Sequence, residues 1–524
     1  MPERTLFVGR VFTSHPSRFD AGAVLVEDGR ITAVGEERDF GAIGPRIRID
    51  LPPGSLLCPA FTDSHTHFVQ WALQRRRVDL SETRSLSECL RLIADAEKTL
   101  KPGEWLRGRG WSVNDWNFPE MPTARDLESV VGKRPVLLFS HDGHCVWLSP
   151  AAMEHVGLCG GTQDPPGGVF VRDELGNPTG VACEEAVIWV DDRIPRASIS
   201  ERADAVTDSF EAAWSVGVTG VGDYGERDDW EVYDELRRRE LLRIRAWKTV
   251  PKKRLGEMIG RGFRTGDGDE WFRAGALKLY ADGALGSRTA HMLQPFEGTD
   301  DTGVSTLSDA ELDDYVERAS VNGLAVAVHA IGDAANRRVL DAFERARERY
   351  GPSDLRHRIE HAQLLHADDI SRFSPLEVLA SVQPSHLLSD REAADRLWGG
   401  RSVGAFAFRS LIDSGARYAF GSDAPIERLN PIEGILAAVN RAKADEKPWH
   451  PEQRLTVEQA LMGFTAHAAW AHNAEGERGI VAPGMHADLV VLDSDPRAVP
   501  PEDIGDMRVL ATYLEGERVF GSIS

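Results

Sequence analysis

The sequence predicts an α/β protein: a (β/α)8 barrel with a large insertion after its first strand, plus a small β-sandwich built from both chain ends. Three observations predict it. Apolar, β-branched runs alternate with helical patterns through the middle of the chain. Matching sets of short strands and tight turns stand at its two ends. The ionisable residues of the middle fall at strand C-termini, where a barrel carries its chemistry.

Residues 6–12, 23–27 and 30–35 read as strands, the last two joined by Asp28-Gly29, a pair suited to a type I′ turn. The pattern returns at 487–492, 509–514 and 518–520, with Glu515-Gly516 between the last two. Strands at opposite ends pair most economically into one composite domain, residues 1–57 with 475–524. That leaves 58–474 as the barrel, with strands read at 61–67, 218–223, 244–250, 274–281, 324–329, 358–361, 378–383 and 418–423.

Between the first two strands the chain runs far longer than a βα connection needs. Residues 70–205 are therefore an insertion, expected to fold over the barrel mouth. It carries six of the thirteen tryptophans (Trp71, Trp105, Trp111, Trp116, Trp147 and Trp189) together with Phe118. These either form the insertion's own core or line an apolar pocket. The insertion's loops show no basic cluster, which disfavours phosphorylated substrates, although Arg288 could hold a single carboxylate.

Composition narrows the function classes. With 42% hydrophobic and 27% charged residues, the 524-residue chain reads as a soluble globular protein of more than one domain. No run approaches the length of a membrane span, and the N-terminus shows no secretory pattern, so a cytoplasmic location is expected. The five cysteines are odd in number and lack any Cys-x-x-Cys, which argues against a disulfide framework and against a thiolate zinc site. A net charge of −22, spread along the chain, repels phosphate backbones and anionic lipid. The expected partner is a small-molecule substrate, with no nucleic acid and no membrane, and a homodimer is the candidate assembly.

The chemistry-bearing residues come in strand order. The first strand ends CPAFTDSHTH at 58–67, and alternation along a strand sends His65 and His67 to the same side. Neutral imidazole is a common ligand for zinc-like ions, so the pair makes half of a metal site. Lys278 lies among apolar strand residues, where a free ammonium is costly; it is either a ligand or a partner of Asp282. His329, His361 and Asp423 each close a strand. Taken singly, each histidine reads equally as a hydrogen-bonded core residue.

Taken together, His-x-His on strand one, Lys on four, His on five, His on six and Asp on eight resemble the amidohydrolase superfamily. The finer motifs are KLYADGALGSRTA at 278–290, VHAIGDA at 328–334, RIEHAQ at 358–363, SVQPSH at 381–386, FGSDAP at 420–425 and GMHADLVVL at 484–492. They look like its YtcJ-like branch, which includes the N-substituted formamide deformylases. The resemblance implies a metal-dependent hydrolase of a carbon–nitrogen, non-peptide bond. His65, His67 and Asp423 would hold one ion, His329 and His361 the other, and Lys278 would bridge them as a carbamate formed with CO2. Zinc is the expected metal, as one or two ions, with Mn2+ or Fe2+ as alternatives.

In this reading a metal-activated water attacks the carbonyl and Asp423 shuttles its proton to the leaving amine. The catalytic set is Asp423, Lys278 and His144; the substrate-binding set is Trp111, His144, Glu184, Arg288 and His386. One departure stands out: HCVWLSP at 144–150 has Ser149 where the branch carries asparagine. The substrate is expected to be a small N-acyl or N-formyl compound with an apolar group. Competing readings are an esterase, lactonase or deaminase using the same site, and a metal-binding protein without catalysis.

Overall fold

The computed structural model describes residues 4–15, 17–41, 47–117, 120–225, 229–443 and 446–523; Phe118 lies outside the described residues. The chain forms two compact units, residues 1–71 with 206–524, and residues 72–205.

The first unit contains the barrel. Its eight parallel strands are β1 (Phe61–Thr66), β2 (Val218–Asp223), β3 (Arg245–Pro251), β4 (Phe272–Tyr280), β5 (Val326–Ala330), β6 (Arg358–His361), β7 (Leu379–Val382) and β8 (Tyr418–Phe420). They lie side by side in sequence order. Nearly every strand residue is buried, as expected when both faces of a parallel sheet are covered. The seam between β8 and β1 closes just past the strands: Asp423 N donates to His65 O and His67 N to Ala424 O, each at 2.7 Å. Gly421 makes this approach possible, since a Cβ there would sit 2.5 Å from the His65 nitrogen. Strand eight ends earlier than the sequence predicts, at Phe420, because Asp423 turns out of the extended region with φ 59°.

Both chain ends share one domain, as expected, its eight strands linked by continuous mixed pairing. Their order is Glu517–Gly521, Val509–Leu514, Leu489–Leu492, Leu56–Pro59, Arg4–His15, Arg18–Glu27 and Arg30–Gly35, with Ile47–Asp50 also beside Arg4–His15. The two tight turns have the predicted form. Asp28 and Gly29 (φ 48° and 80°) and Glu515 and Gly516 (φ 51° and 74°) all take the positive angles a type I′ hairpin requires.

Asp488, inside the C-terminal motif, ties this sheet to the barrel: Arg245 Nη2 donates to its Oδ1 at 3.0 Å, with both side chains nearly fully buried. Burial pushes the Asp488 carboxyl up, but Arg245 and the Glu515 N–H outweigh it and hold it below the usual range. Asp488→Asn is expected to cost about 1.5–3 kcal/mol, the worth of a hydrogen bond to a charged group, read from the denaturant midpoint. A lowered carboxyl contributes fully above about pH 4 and loses that contribution as pH falls through its folded value, so wild type and variant should converge in acid.

The insertion is a folded unit with its own six-stranded mixed sheet, ordered Gly168–Arg172, Pro178–Glu184, Cys145–Leu148, Val136–Ser140, Leu106–Trp111 and Val78–Asp79. Apolar clusters cover it. One gathers Leu80, Ile93, Leu106, Leu127, Leu138 and Val181 around Trp111, Trp116 and Trp147. The other packs Trp105 and Trp189 against Leu137, Val146 and Phe170.

Two expectations are corrected here. Cys145 and Cys183 form a disulfide, because antiparallel pairing sets them directly opposite each other across 38 residues of sequence; Cys58, Cys89 and Cys159 are free. The insertion also holds a basic cluster: Arg76, Arg77, Arg107 and Arg196, scattered in sequence, line one cavity. No helix among the described residues is long and apolar enough to cross a membrane.

Candidate active site and metal centre

The residues singled out on strands one, four, five, six and eight meet at the C-terminal end of the barrel. His65 Nε2 lies 3.4 Å and His67 Nε2 3.2 Å from Asp423 Oδ1. The His361 ring is 5.0 Å from that of His65 and 4.6 Å from that of His329, centre to centre. Ligand atoms of His65, His361 and Asp423 all lie within 4.8 Å of one another.

Reaching this point requires unusual backbone at two of the residues. On a regular strand His361 would face away from Glu360, yet both serve the site. His361 has φ 73° and Ala362 φ 42°, which swing the chain end round; Asp423 at φ 59° does the same on the opposite wall. Non-glycine residues in this region cost about 1–3 kcal/mol each and persist only where surrounding contacts enforce them.

The imidazoles are held in defined tautomers. His65 Nδ1 donates to Glu360 Oε2 at 2.5 Å, and His361 Nδ1 donates to Gln383 Oε1 at 2.7 Å. Each therefore turns a lone pair on Nε2 toward the cluster. His329 Nε2 donates to the Gly283 carbonyl at 2.8 Å. Burial lowers the pKa of all three, that of His329 to about 3, so all are neutral imidazoles in the form that binds metal.

Burial alone would push the Asp423 carboxyl up, but the imidazoles of His65, His67, His361 and His386 hold it well below its usual range. Its Oδ1 is buried without a hydrogen-bond donor. An orphaned carboxylate oxygen beside inward-turned imidazole nitrogens is a donor set that fits a divalent ion of the zinc kind.

Lys278 is buried among these groups, with Nζ 5.0 Å from the Tyr224 ring centre and 4.7 Å from that of Tyr280. It does not pair with Asp282, whose carboxylate accepts the backbone N–H groups of His291, Ile331 and Gly332 instead. Burial lowers the Lys278 pKa to about 8, against the pull of Glu360 and Asp423. His386, at the head of helix His386–Trp398, brings Nε2 to 3.7 Å from Asp423 Oδ2. Arg288 lies exposed in the loop after β4.

His144, Glu184 and Trp111 belong to the other unit. His144 Nδ1 and Glu184 Oε2 are 3.0 Å apart and largely exposed, each next in sequence to a cysteine of the Cys145–Cys183 disulfide. Trp111 is 2% exposed and its indole N–H donates to Leu138 O, which places it in the insertion's own core rather than on a ligand-facing wall. Ser149 caps helix Pro150–Val156, accepting from Ala152 N, so its departure from asparagine serves a helix start.

The sequence reading missed four supporting residues. Glu360 accepts from Arg358 Nε at 2.7 Å, from Tyr224 OH at 2.8 Å and from His65, all fully or nearly fully buried. Tyr224 stacks flat on the His65 ring at 3.8 Å. Gln383 orients His361, and Asp63 accepts from both His65 N and Ser422 N, pinning β1 to the turn that carries Asp423. The signal was present for three of them: Glu360 and Gln383 lie inside RIEHAQ and SVQPSH, and Asp63 inside CPAFTDSHTH. A second grouping, Glu270, His486 and Glu515, has metal-like spacing. Its carboxylates are already paired with Arg30 at 3.6 Å and Arg245 at 3.3 Å, which removes the charge a cation would need.

The sequence pattern of the amidohydrolase family matches residues 49–520. Over 527 residues the chain is 32% identical to the putative amidohydrolase YtcJ of Bacillus subtilis, covering 95% of this chain and 96% of that protein. It is 29% identical over 520 residues to the N-substituted formamide deformylase of Arthrobacter pascens, covering 95% and 94%. An uncharacterized metal-dependent hydrolase from Pyrococcus furiosus superposes with a TM-score of 0.78 at 26% identity, over 94% of this chain and 100% of that one. With a match that spans the barrel and the terminal sheet alike, the chain belongs to the amidohydrolase family.

Proposed function

We propose that the chain hydrolyses the amide-type carbon–nitrogen bond of a small N-acyl or N-formyl compound, using a divalent ion bound among His65, His67, His329, His361 and Asp423. The observation that carries this reading is Asp423: buried, ionised, ringed by imidazoles, and with Oδ1 free of hydrogen-bond donors. When bound, the ion supplies Lewis acidity that polarises the substrate carbonyl and acidifies a water molecule. Asp423 accepts the proton of the attacking water and returns it to the leaving nitrogen, so that an amine departs rather than an amide anion. His386, whose Nε2 has no hydrogen-bond partner, is assigned to the carbonyl oxygen. The bond type is supported by the deformylase relative.

Lys278 enters as a carbamate. A pKa near 8 leaves part of its amine neutral at physiological pH. The neutral amine adds to CO2 with release of one proton, and the product is an anionic ligand where a buried cation would be costly. The donor set of imidazole and carboxylate favours zinc, with Mn2+ or Fe2+ as substitutes.

Recognition of an apolar group is assigned to Tyr280 and Ile426 rather than Trp111. The two are 48% and 70% exposed; Tyr280 lies beside the His329 ring, and the Ile426 N–H donates to the Asp423 carbonyl.

The test is turnover on a panel of N-formyl and N-acyl amines, matched esters and aminopurines, before and after exhaustive chelation. Amide cleavage should vanish on chelation and return with zinc or manganese. Full activity in protein shown metal-free by elemental analysis, or turnover of esters or aminopurines with no amide cleaved, would overturn the proposal.

A further inference from the structure

The insertion contains a cavity of about 270 Å3 whose wall includes Arg76, Arg77, Arg107 and Arg196 against two carboxylates, Glu104 and Glu201. Its apolar side is Leu73, Leu100 and Trp105. Strand pairing creates this concentration of charge. Val78 pairs with Gly108 in parallel register, so Arg77, in the bend just before its strand, comes beside Arg107 on the neighbouring strand. Like charges placed so are destabilising unless something of opposite sign lies between them.

The protein itself supplies little of that. Among the described residues the Arg77 guanidinium makes no hydrogen bond or ion pair. Arg107 Nη2 donates to a neutral acceptor, the Pro195 carbonyl. Arg76 is engaged at the rim: its Nη1 donates to the Glu201 carbonyl at 3.5 Å and stands 3.9 Å from the Glu104 carboxylate. Burial lowers the pKa of both Arg77 and Arg107, with Arg109 adding to the effect on Arg77 and Arg77 to that on Arg107, against the opposing pull of Asp191 on both and of Glu201 on Arg107. The wall thus brings four guanidiniums together in a chain whose net charge is −22, and the Arg77 fork keeps its N–H donors unused.

We propose that this cavity binds a small molecule bearing an oxyanion, a carboxylate or a phosphate, on a short apolar body held against Leu73, Leu100 and Trp105. The planar guanidinium fork matches either oxyanion through paired N–H donors. An anion between Arg77 and Arg107 relieves their mutual repulsion, and the acidic surface elsewhere disfavours adsorption at other places.

The experiment is calorimetric titration of the full-length protein with benzoate and with phenyl phosphate, the binding region mapped by hydrogen exchange. Saturable binding is expected, with exchange protection in residues 73–77, 100–107 and 195–201. Arg77→Gln and Arg107→Gln should each weaken it at least tenfold, while Arg91→Gln, on the exposed side of helix Leu86–Glu97, should leave it unchanged. The preferred probe identifies the oxyanion. Absence of saturable binding, protection elsewhere only, or unaltered affinity in both variants overturns the proposal. The unliganded Arg77→Gln protein should melt no lower than wild type, because the guanidinium makes no hydrogen bond or close ion pair and its burial beside Arg109 is costly. A lower melting temperature would show that Arg77 is a structural residue, and would overturn it too.

Discussion

Asp423→Asn is expected to lower turnover by about 10²–10⁴-fold, the usual worth of a positioned acid–base group. Asparagine keeps the shape of the side chain, and the backbone that holds position 423 depends on its N–H to the His65 carbonyl, which the substitution does not touch. What is lost is the charge that faces His65, His67 and His386 at 3.4, 3.2 and 3.7 Å. With no carboxylate to take the proton from water and return it to the amine, the leaving group must depart unprotonated. The loss should therefore fall on kcat, with KM changed little, and elemental analysis of the variant separates lost proton transfer from lost metal. A rise in KM with kcat intact would remove Asp423 from proton transfer.

Glu360→Gln should show two effects that are independently measurable. Glu360 is fully buried and accepts from Arg358, Tyr224 and His65. Burial alone would raise its carboxyl, but Arg358, His65 and Lys278 outweigh it and hold it well below the usual range. Removing the charge leaves the Arg358 guanidinium buried without a counter-ion, and breaking such a pair costs about 3–5 kcal/mol. That loss is read from chemical unfolding of metal-free protein. The second effect lies in the metal: an amide can present an N–H to His65 Nδ1, so the imidazole is no longer fixed with Nε2 toward Asp423. Loss of such an orienting partner lowers metal affinity by about 10–100-fold. Tyr224→Phe removes one neutral donor to Glu360 and should give a much smaller change in both readouts. Unchanged metal affinity in Glu360→Gln would show that His65 needs no carboxylate to orient it.

The sequence by itself determined what depends on spacing along the chain. Alternation on one strand put His65 and His67 on the same side; Asp28-Gly29 and Glu515-Gly516 required positive φ and made hairpins. The order of polar residues at successive strand ends marked the barrel and its mouth before any contact was known. Tertiary structure decided what depends on partners distant in sequence. His361 and Asp423 reach the site only because the chain turns through positive φ, which no residue type announced. Glu360 orients His65 across 295 positions, Cys145 meets Cys183 through strand register, and Trp111 sits inside the insertion instead of on a wall. Of the four arginines of the insertion cavity Arg107 stands in a strand and the other three in connections, so only strand register and loop closure bring their charges together. Periodicity carries the direction of a side chain relative to its own element. The partner it meets is set by how elements register and pack, and that information is spread over the whole chain.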